Sequence, residues 1–285
     1  MTQKTPKHPI HRHDMSPAQK YRATGSLLGA AVGDALGAPF EFKPGGLYSQ
    51  HFPAPVLGGT GEMVGGGSFG WAPGEFTDDT QMALALAESL VASDGFDPKD
   101  AWIRFQAWAA SATDVGITTR AALSQTHHSG AAEMAHHATG GRSASNGCVM
   151  RIAPVGIRGV LLGMDATVEL AAEQARLTHF DPAAAAGSAV VAEIIRRVIL
   201  TGRFGDVAQH VVGELSGHPE IGEAVAAYAP LVGPGFHPHA HEGPGNGSVW
   251  TTVAQATAQA QARVITVRMP IASPPDGPQP VYPST

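Results

Sequence analysis

The chain has 285 residues, of which 43% are hydrophobic and 15% charged, with a net charge of −6. That length and apolar content allow a sizeable core and exclude an intrinsically disordered chain. A negative balance with no basic stripe excludes the usual nucleic-acid-binding surface, though not nucleotides, which bind backbone N–H groups and helix N-termini.

Residues 1–15 carry His8, His11, His13 and two prolines, and read as a disordered lead-in before an internal start at Met15. The N-terminus has no apolar signal region, and no run is long enough to span a bilayer. Cys148 is the sole cysteine, so no intrachain disulfide can form, and it reads as a small buried hydrophobe rather than a nucleophile. A cytoplasmic monomer without membrane contact is expected.

A helix opens at Ser16-Pro17, serine capping and proline at the first helical position. Its glycines, Gly25, Gly29, Gly33 and Gly37, recur every four residues, which predicts close backbone packing at a crowded centre. It runs into Gly33-Asp34-Ala35-Leu36-Gly37-Ala38-Pro39-Phe40-Glu41. Asp34 has a plain reading as a helix carboxylate paired with Arg22 or Lys43. Residues 43–76 form a long glycine-rich loop, in which Gly65 to Trp71 would suit backbone approach to a ligand and stacking of a base.

Thr77-Asp78-Asp79-Thr80 then opens a helix with two adjacent carboxylates. The helix dipole relieves only part of their repulsion, and a hard cation would relieve the rest. On its own the segment fits a helix cap, with Thr77 as the capping residue, as well as it fits a metal site. Further helices are expected over 78–92, 98–112, 118–127, 131–138, 150–162, 165–178, 182–201, 205–215, 218–229 and 248–264. Strand character is confined to short runs such as Val264-Ile265-Thr266-Val267. The predicted fold is all-α, a single multi-helix domain over 16–256. Two more segments carry candidate chemistry. Ser145-Asn146-Gly147 could be a ligand turn or an ordinary tight turn, and His179 closes Leu177-Thr178-His179.

In this order and spacing, the segments around Asp34 to Glu41, Trp71 to Leu84, Ser145 to Arg151 and Leu177 to His179 resemble the ADP-ribosylglycohydrolase family, which includes the dinitrogenase reductase-activating glycohydrolases. A late echo is Asn246 to Ala254, and the resemblance spans roughly residues 20–255. It implies an all-helical fold with two Mg²⁺ ions, or Mn²⁺, in a cleft. It also implies hydrolysis of the N- or O-glycosidic bond between ADP-ribose and a protein side chain or small acceptor. On matching positions, Thr77, Asp78 and Asp79 would be metal ligands, with Asp78 and Asp79 also catalytic. Glu41 would be the acid–base carboxylate, its pKa raised between Phe40 and Phe42. Asp34, Ser145, Asn146, Gly147 and His179 would bind substrate.

The family's second metal side, a C-terminal G-G-D-T-D-T motif, is not found. After Glu242 the remaining carboxylate is Asp276, within a proline-rich turn. From Thr257 to Thr285 the chain turns Gln/Ala-rich and then Pro-rich. This divergent tail reads as a frameshifted or replaced C-terminus, with two final helices lost and apolar surface exposed. Three functions follow: a hydrolase of this class, impaired by the missing aspartates; a catalytically dead ADP-ribose-binding module; or another Mg²⁺-dependent hydrolase, such as a phosphoesterase.

Overall fold

The structure, a computed structural model, describes residues 14–232 and 247–261. The histidine-rich lead-in, Asn246, the 264–267 run and the tail beyond 261 lie outside these residues. Among the described residues there are twelve α-helices and no strands, only the isolated bridges Gly66–Trp71 and Ser145–Ser248. No described helix is long and apolar enough to cross a membrane.

Local signals explain the best-defined helix starts. Helix α1 (Pro17–Gly37) begins with a capping box. The Ser16 hydroxyl accepts from the Gln19 amide at 3.3 Å, and the Gln19 side chain accepts from the Ser16 amide at 2.8 Å. Asp97 caps α4 (Pro98–Ala109) and Asp181 caps α9 (Pro182–Thr201), each followed by proline at the first position. Between α1 and α4 lie the short α2 (Leu47–His51) and α3 (Asp78–Ala92). After α4 come α5 (Ile117–Leu123), α6 (Ala131–Ala138), α7 (Ala153–Leu162) and α8 (Met164–Arg176). The chain ends in α10 (Val207–Leu215), α11 (Gly222–Ala226) and α12 (Val249–Gln261).

Helix α9 is the axis of the molecule, packed by α1, α7, α8, α10, α11 and α12. Its start, Ala183 to Ala189, is wholly buried. Small residues let its neighbours approach. A methyl group added at Gly156 of α7 would come within 2.6 Å of Ile195, and one at Gly187 within 2.6 Å of the Tyr228 hydroxyl. The crowded centre expected of the α1 glycines is therefore found at α9. Gly25, Gly29, Gly33 and Gly37 are all exposed, and a methyl group at any of them would meet nothing within 4 Å. Glycine offers no apolar area to bury, so its spacing alone draws no partner; α1 buries Ala23, Asp34 and Ala35 instead.

The 43–76 loop also differs from expectation. Gly67 approaches the chain itself, where an added methyl group would lie 2.9 Å from Pro39 Cα. Trp71 is buried beside Phe69 rather than presented for stacking on a base. Cys148 is fully buried, and burial pushes its thiol up, as expected of a packing residue.

Candidate active site

The site is assembled at the N-terminus of α3. The first amides of a helix have no intrahelical partner. Thr77 occupies the N-cap position, yet its side chain makes no cap bond. The cap comes from α1. Asp34 Oδ2 accepts from the Thr77 amide at 2.9 Å, the Thr80 amide at 3.1 Å and the Thr80 hydroxyl at 2.6 Å; Oδ1 accepts from the Thr77 hydroxyl at 2.7 Å. Asp34 is buried and does not pair with Arg22, which donates to Ile199 O at 2.7 Å instead. Both Asp34 oxygens are thus engaged in holding α3, and this is where the structure places a residue expected against substrate.

Held in this way, Asp78 and Asp79 share a region of negative potential with Glu41 and Asp114. Burial and then the charge of Asp114 push the Asp78 carboxyl up to about 7, against a smaller opposing pull from the Thr77 hydroxyl. Burial and then Asp78 hold Asp79 well above the usual carboxylate range. Glu41 keeps solvent contact, yet desolvation, Asp114, Asp78 and Asp34 together raise it to about 7. The direction is the one expected, and burial is its largest cause, with the neighbouring carboxylates adding to it. Phe40 packs on Tyr48, His51 and Phe52, whereas Phe42 is exposed against Phe69. Phe42 sits at φ 61°, an uncommon left-handed conformation for a bulky residue, and it turns the chain directly after Glu41.

The second half of the site is the Ser145 turn, a 3-10 turn over Asn146–Cys148. The late echo in the sequence braces it. The Asn146 amide donates to Gly247 O at 2.9 Å and the Val249 amide to Ala144 O at 3.0 Å. His179 is fully buried behind the turn, with Ser145 Oγ 2.8 Å from Nε2 and Thr178 Oγ1 2.8 Å from Nδ1. Burial, then Arg151, lowers its pKa to about 3, so the imidazole is neutral. Ser145, half-buried, is the member of the pair that keeps solvent contact. Gly147 is required by crowding: a methyl group there would lie 2.9 Å from Thr119 Oγ1 and 3.0 Å from His179 Cε1.

One segment absent from the sequence-based site joins the two halves. Asp114 faces the carboxylates, and four residues later Thr118 Oγ1 accepts from Ser145 Oγ at 3.2 Å. Four residues span at most about 14 Å, so Asp114 and the Ser145 contact at Thr118 lie within that reach of each other. The available signal was an aspartate before Gly116, followed by Thr118-Thr119 at a helix start.

The donor set suits a hard cation in its chemistry: oxygen ligands, with negative charge that the carboxylates impose on one another. Its geometry is incomplete, since no group of three His, Cys, Asp or Glu side chains among the described residues could hold a metal ion. A cation here would take only Asp78, Asp79 and the Thr77 oxygen from the protein and would have to keep several waters, as Mg²⁺ does.

A pH dependence follows. The folded state retains protons on Glu41 and Asp78 up to about pH 7, whereas an unfolded chain releases them near pH 4. These two groups therefore favour the metal-free fold most below pH 4 and lose that contribution as pH rises through 7, while His179, held neutral in the fold, offsets part of the loss between about pH 3 and 6.5. Melting in EDTA at pH 5 and pH 8 should show a Tm lower by about 4 °C or more at pH 8. Added Mg²⁺ should restore more at pH 8 than at pH 5; an EDTA Tm that rises over this range refutes the assignment.

Comparison with known proteins places this arrangement. A family model described as ADP-ribosylglycohydrolase matches residues 15–266. The ADP-ribosyl-[dinitrogen reductase] glycohydrolase of Rhodospirillum rubrum is 37% identical over 185 residues, 64% of this chain and 60% of that protein. The ADP-ribosylarginine hydrolase Tri1 of Serratia proteamaculans (strain 568) is 35% identical over 144 residues, 48% of this chain and 36% of that protein. The chain thus spans 60% or less of the length of these two relatives. A solved structure described as an ADP-ribosylglycohydrolase-related protein complex superposes with a TM-score of 0.60 at 30% identity, covering 85% of this chain and 76% of the other. The family match runs from the start of α1 past the end of α12, through every segment that builds the site, and the chain belongs to the ADP-ribosylglycohydrolase family.

Proposed function

We propose that the chain hydrolyses the glycosidic bond between ADP-ribose and an acceptor side chain, with one divalent cation, Mg²⁺ or Mn²⁺, held by Asp78, Asp79 and Thr77. The observation that carries this reading is the cluster of mutually repelling carboxylates at the start of α3, linked through the Asp114–Thr118 segment to the Ser145 turn. A bound cation would lower the pKa of an attacking water and orient ribose hydroxyls. Cleavage at the anomeric carbon develops oxocarbenium-like positive charge, which Asp78 and Asp79 stabilise. Glu41, titrating near 7, is suited to take the proton from water and return one to the leaving group. Ser145, Asn146 and Gly147 hold the diphosphate and ribose, with neutral His179 acting through Ser145.

The similarity to Tri1, named as an ADP-ribosylarginine hydrolase, makes arginine-linked ADP-ribose the first substrate to try. The chain is expected to release free ADP-ribose from ADP-ribosylarginine in Mg²⁺, followed by chromatography. Glu41→Gln should slow release about a hundredfold, within the usual range for a general acid–base group. Full turnover by Glu41→Gln removes the acid–base role. Binding of ADP-ribose without turnover of arginine-, serine- or small-molecule-linked substrates supports a binding module instead. Cleavage of a phosphoester without ADP-ribose release supports a phosphoesterase.

A further inference from the structure

Behind the Ser145 turn, buried side chains form a hydrogen-bond chain with a fixed direction. Arg151 is fully buried, its guanidinium 4.4 Å from the Phe105 ring centroid. Nε donates to Gln174 Oε1 at 2.9 Å, while one terminal nitrogen donates to Gln174 O and Thr178 Oγ1, each at 2.9 Å. Among the described residues no carboxylate pairs with it. A guanidinium can only donate, so Thr178 Oγ1 accepts from it. The hydroxyl hydrogen of Thr178 then needs an acceptor, and His179 Nδ1 lies 2.8 Å away.

With Nδ1 accepting, the proton of the neutral imidazole belongs on Nε2. Nε2–H then donates to Ser145 Oγ at 2.8 Å. Ser145 therefore turns its own hydrogen away from His179, towards Thr118 Oγ1 at 3.2 Å or a ligand oxygen in its place. The other tautomer reverses both histidine links. It would point the Ser145 hydrogen inward at Nε2 and strand the buried Thr178 hydrogen, an unfavourable state in a dry interior.

We infer that Arg151, acting through Thr178, is a positioning residue that locks His179 as the Nε2–H tautomer and makes Ser145 a hydrogen-bond donor to a phosphate or ribose oxygen of the ligand. The inference rests on the reading of Ser145 as a ligand contact. It assigns no contact with ligand to Arg151 or Thr178; their effect is transmitted by the direction of hydrogen bonds.

The test uses the full chain labelled with ¹⁵N, with histidine side-chain correlation spectra for the tautomer and calorimetry for ADP-ribose. Arg151 is so deeply buried that its variants can fail to fold, so the Thr178 pair carries the comparison. Thr178→Val keeps the shape and removes the oxygen; it should give His179 a mixture of tautomers and weaken ADP-ribose about tenfold. Thr178→Ser should restore both the pure Nε2–H form and the affinity. A Thr178→Val protein with pure Nε2–H His179 overturns the lock, even if its Tm falls. Mixed tautomers with wild-type affinity overturn the link to Ser145. Should the wild-type protein bind no ADP-ribose, the ligand reading fails, while the spectra still decide the lock.

Discussion

Asp34→Ala is expected to lower the unfolding free energy by about 3–5 kcal/mol, the usual cost of leaving several buried donors unpaired. The four bonds to Thr77 and Thr80 disappear together, and two backbone amides at the start of α3 lose their acceptor. A chain of this size should melt roughly 10 °C lower. One effect acts in the other direction: removing the Asp34 charge relieves Glu41, Asp78 and Asp79, each of which it pushes up. Asp34→Asn separates the two. Its amide oxygen can still accept at α3 and its charge is gone, so the loss should be only about 1–2 kcal/mol. Melting in EDTA measures both variants. A loss below about 1 kcal/mol for Asp34→Ala would show that α3 does not depend on this remote cap.

Asp79→Asn should move stability and activity in opposite directions. The Asp79 carboxyl sits well above its ordinary range because burial and four neighbouring carboxylates disfavour its charge. An amide of the same shape removes that charge, so the metal-free protein should be more stable at pH 8, read as a higher Tm in EDTA. The same substitution removes a cation ligand and a stabiliser of positive charge at the anomeric carbon. ADP-ribose release should fall at least about a hundredfold, comparable to the loss of one preorganised electrostatic group. Asp78→Asn should behave alike with a smaller gain, since the Thr77 hydroxyl already eases that carboxylate. A variant that is less stable in EDTA and still active would falsify the role given to this pair.

Much of the fold was legible because its signals are local. Serine or aspartate followed by proline marks the starts of α1, α4 and α9, since the cap and the fixed φ act within one turn. Helix ends were less legible where distant residues decide them. The helix expected over 118–127 stops at Leu123, where Gln106 Nε2 takes the carbonyls of Leu123 and Gln125. The helix expected over 218–229 shrinks to Gly222–Ala226, and Gly222 lies against the Ser216 carbonyl, 2.5 Å from where a Cβ would stand.

The site divides in the same way. Thr77-Asp78-Asp79-Thr80 is contiguous and stood out as adjacent charges at a helix start. That Asp34 caps this helix, 43 residues away in the chain, depends on how α1 packs against α3. Asp114 escaped notice because a lone acid in a loop carries no periodic signal. The direction of the Arg151–Thr178–His179–Ser145 chain needs distances that no sequence spacing supplies.

The most direct test titrates Mg²⁺ into the metal-free protein by calorimetry and follows ADP-ribose release from ADP-ribosylarginine at each metal concentration. The account predicts one ion per chain, lost in Asp78→Asn and Asp79→Asn, with release that rises as that ion binds and stops in EDTA. Release that continues unchanged in EDTA, or ion binding that survives both substitutions, would contradict it.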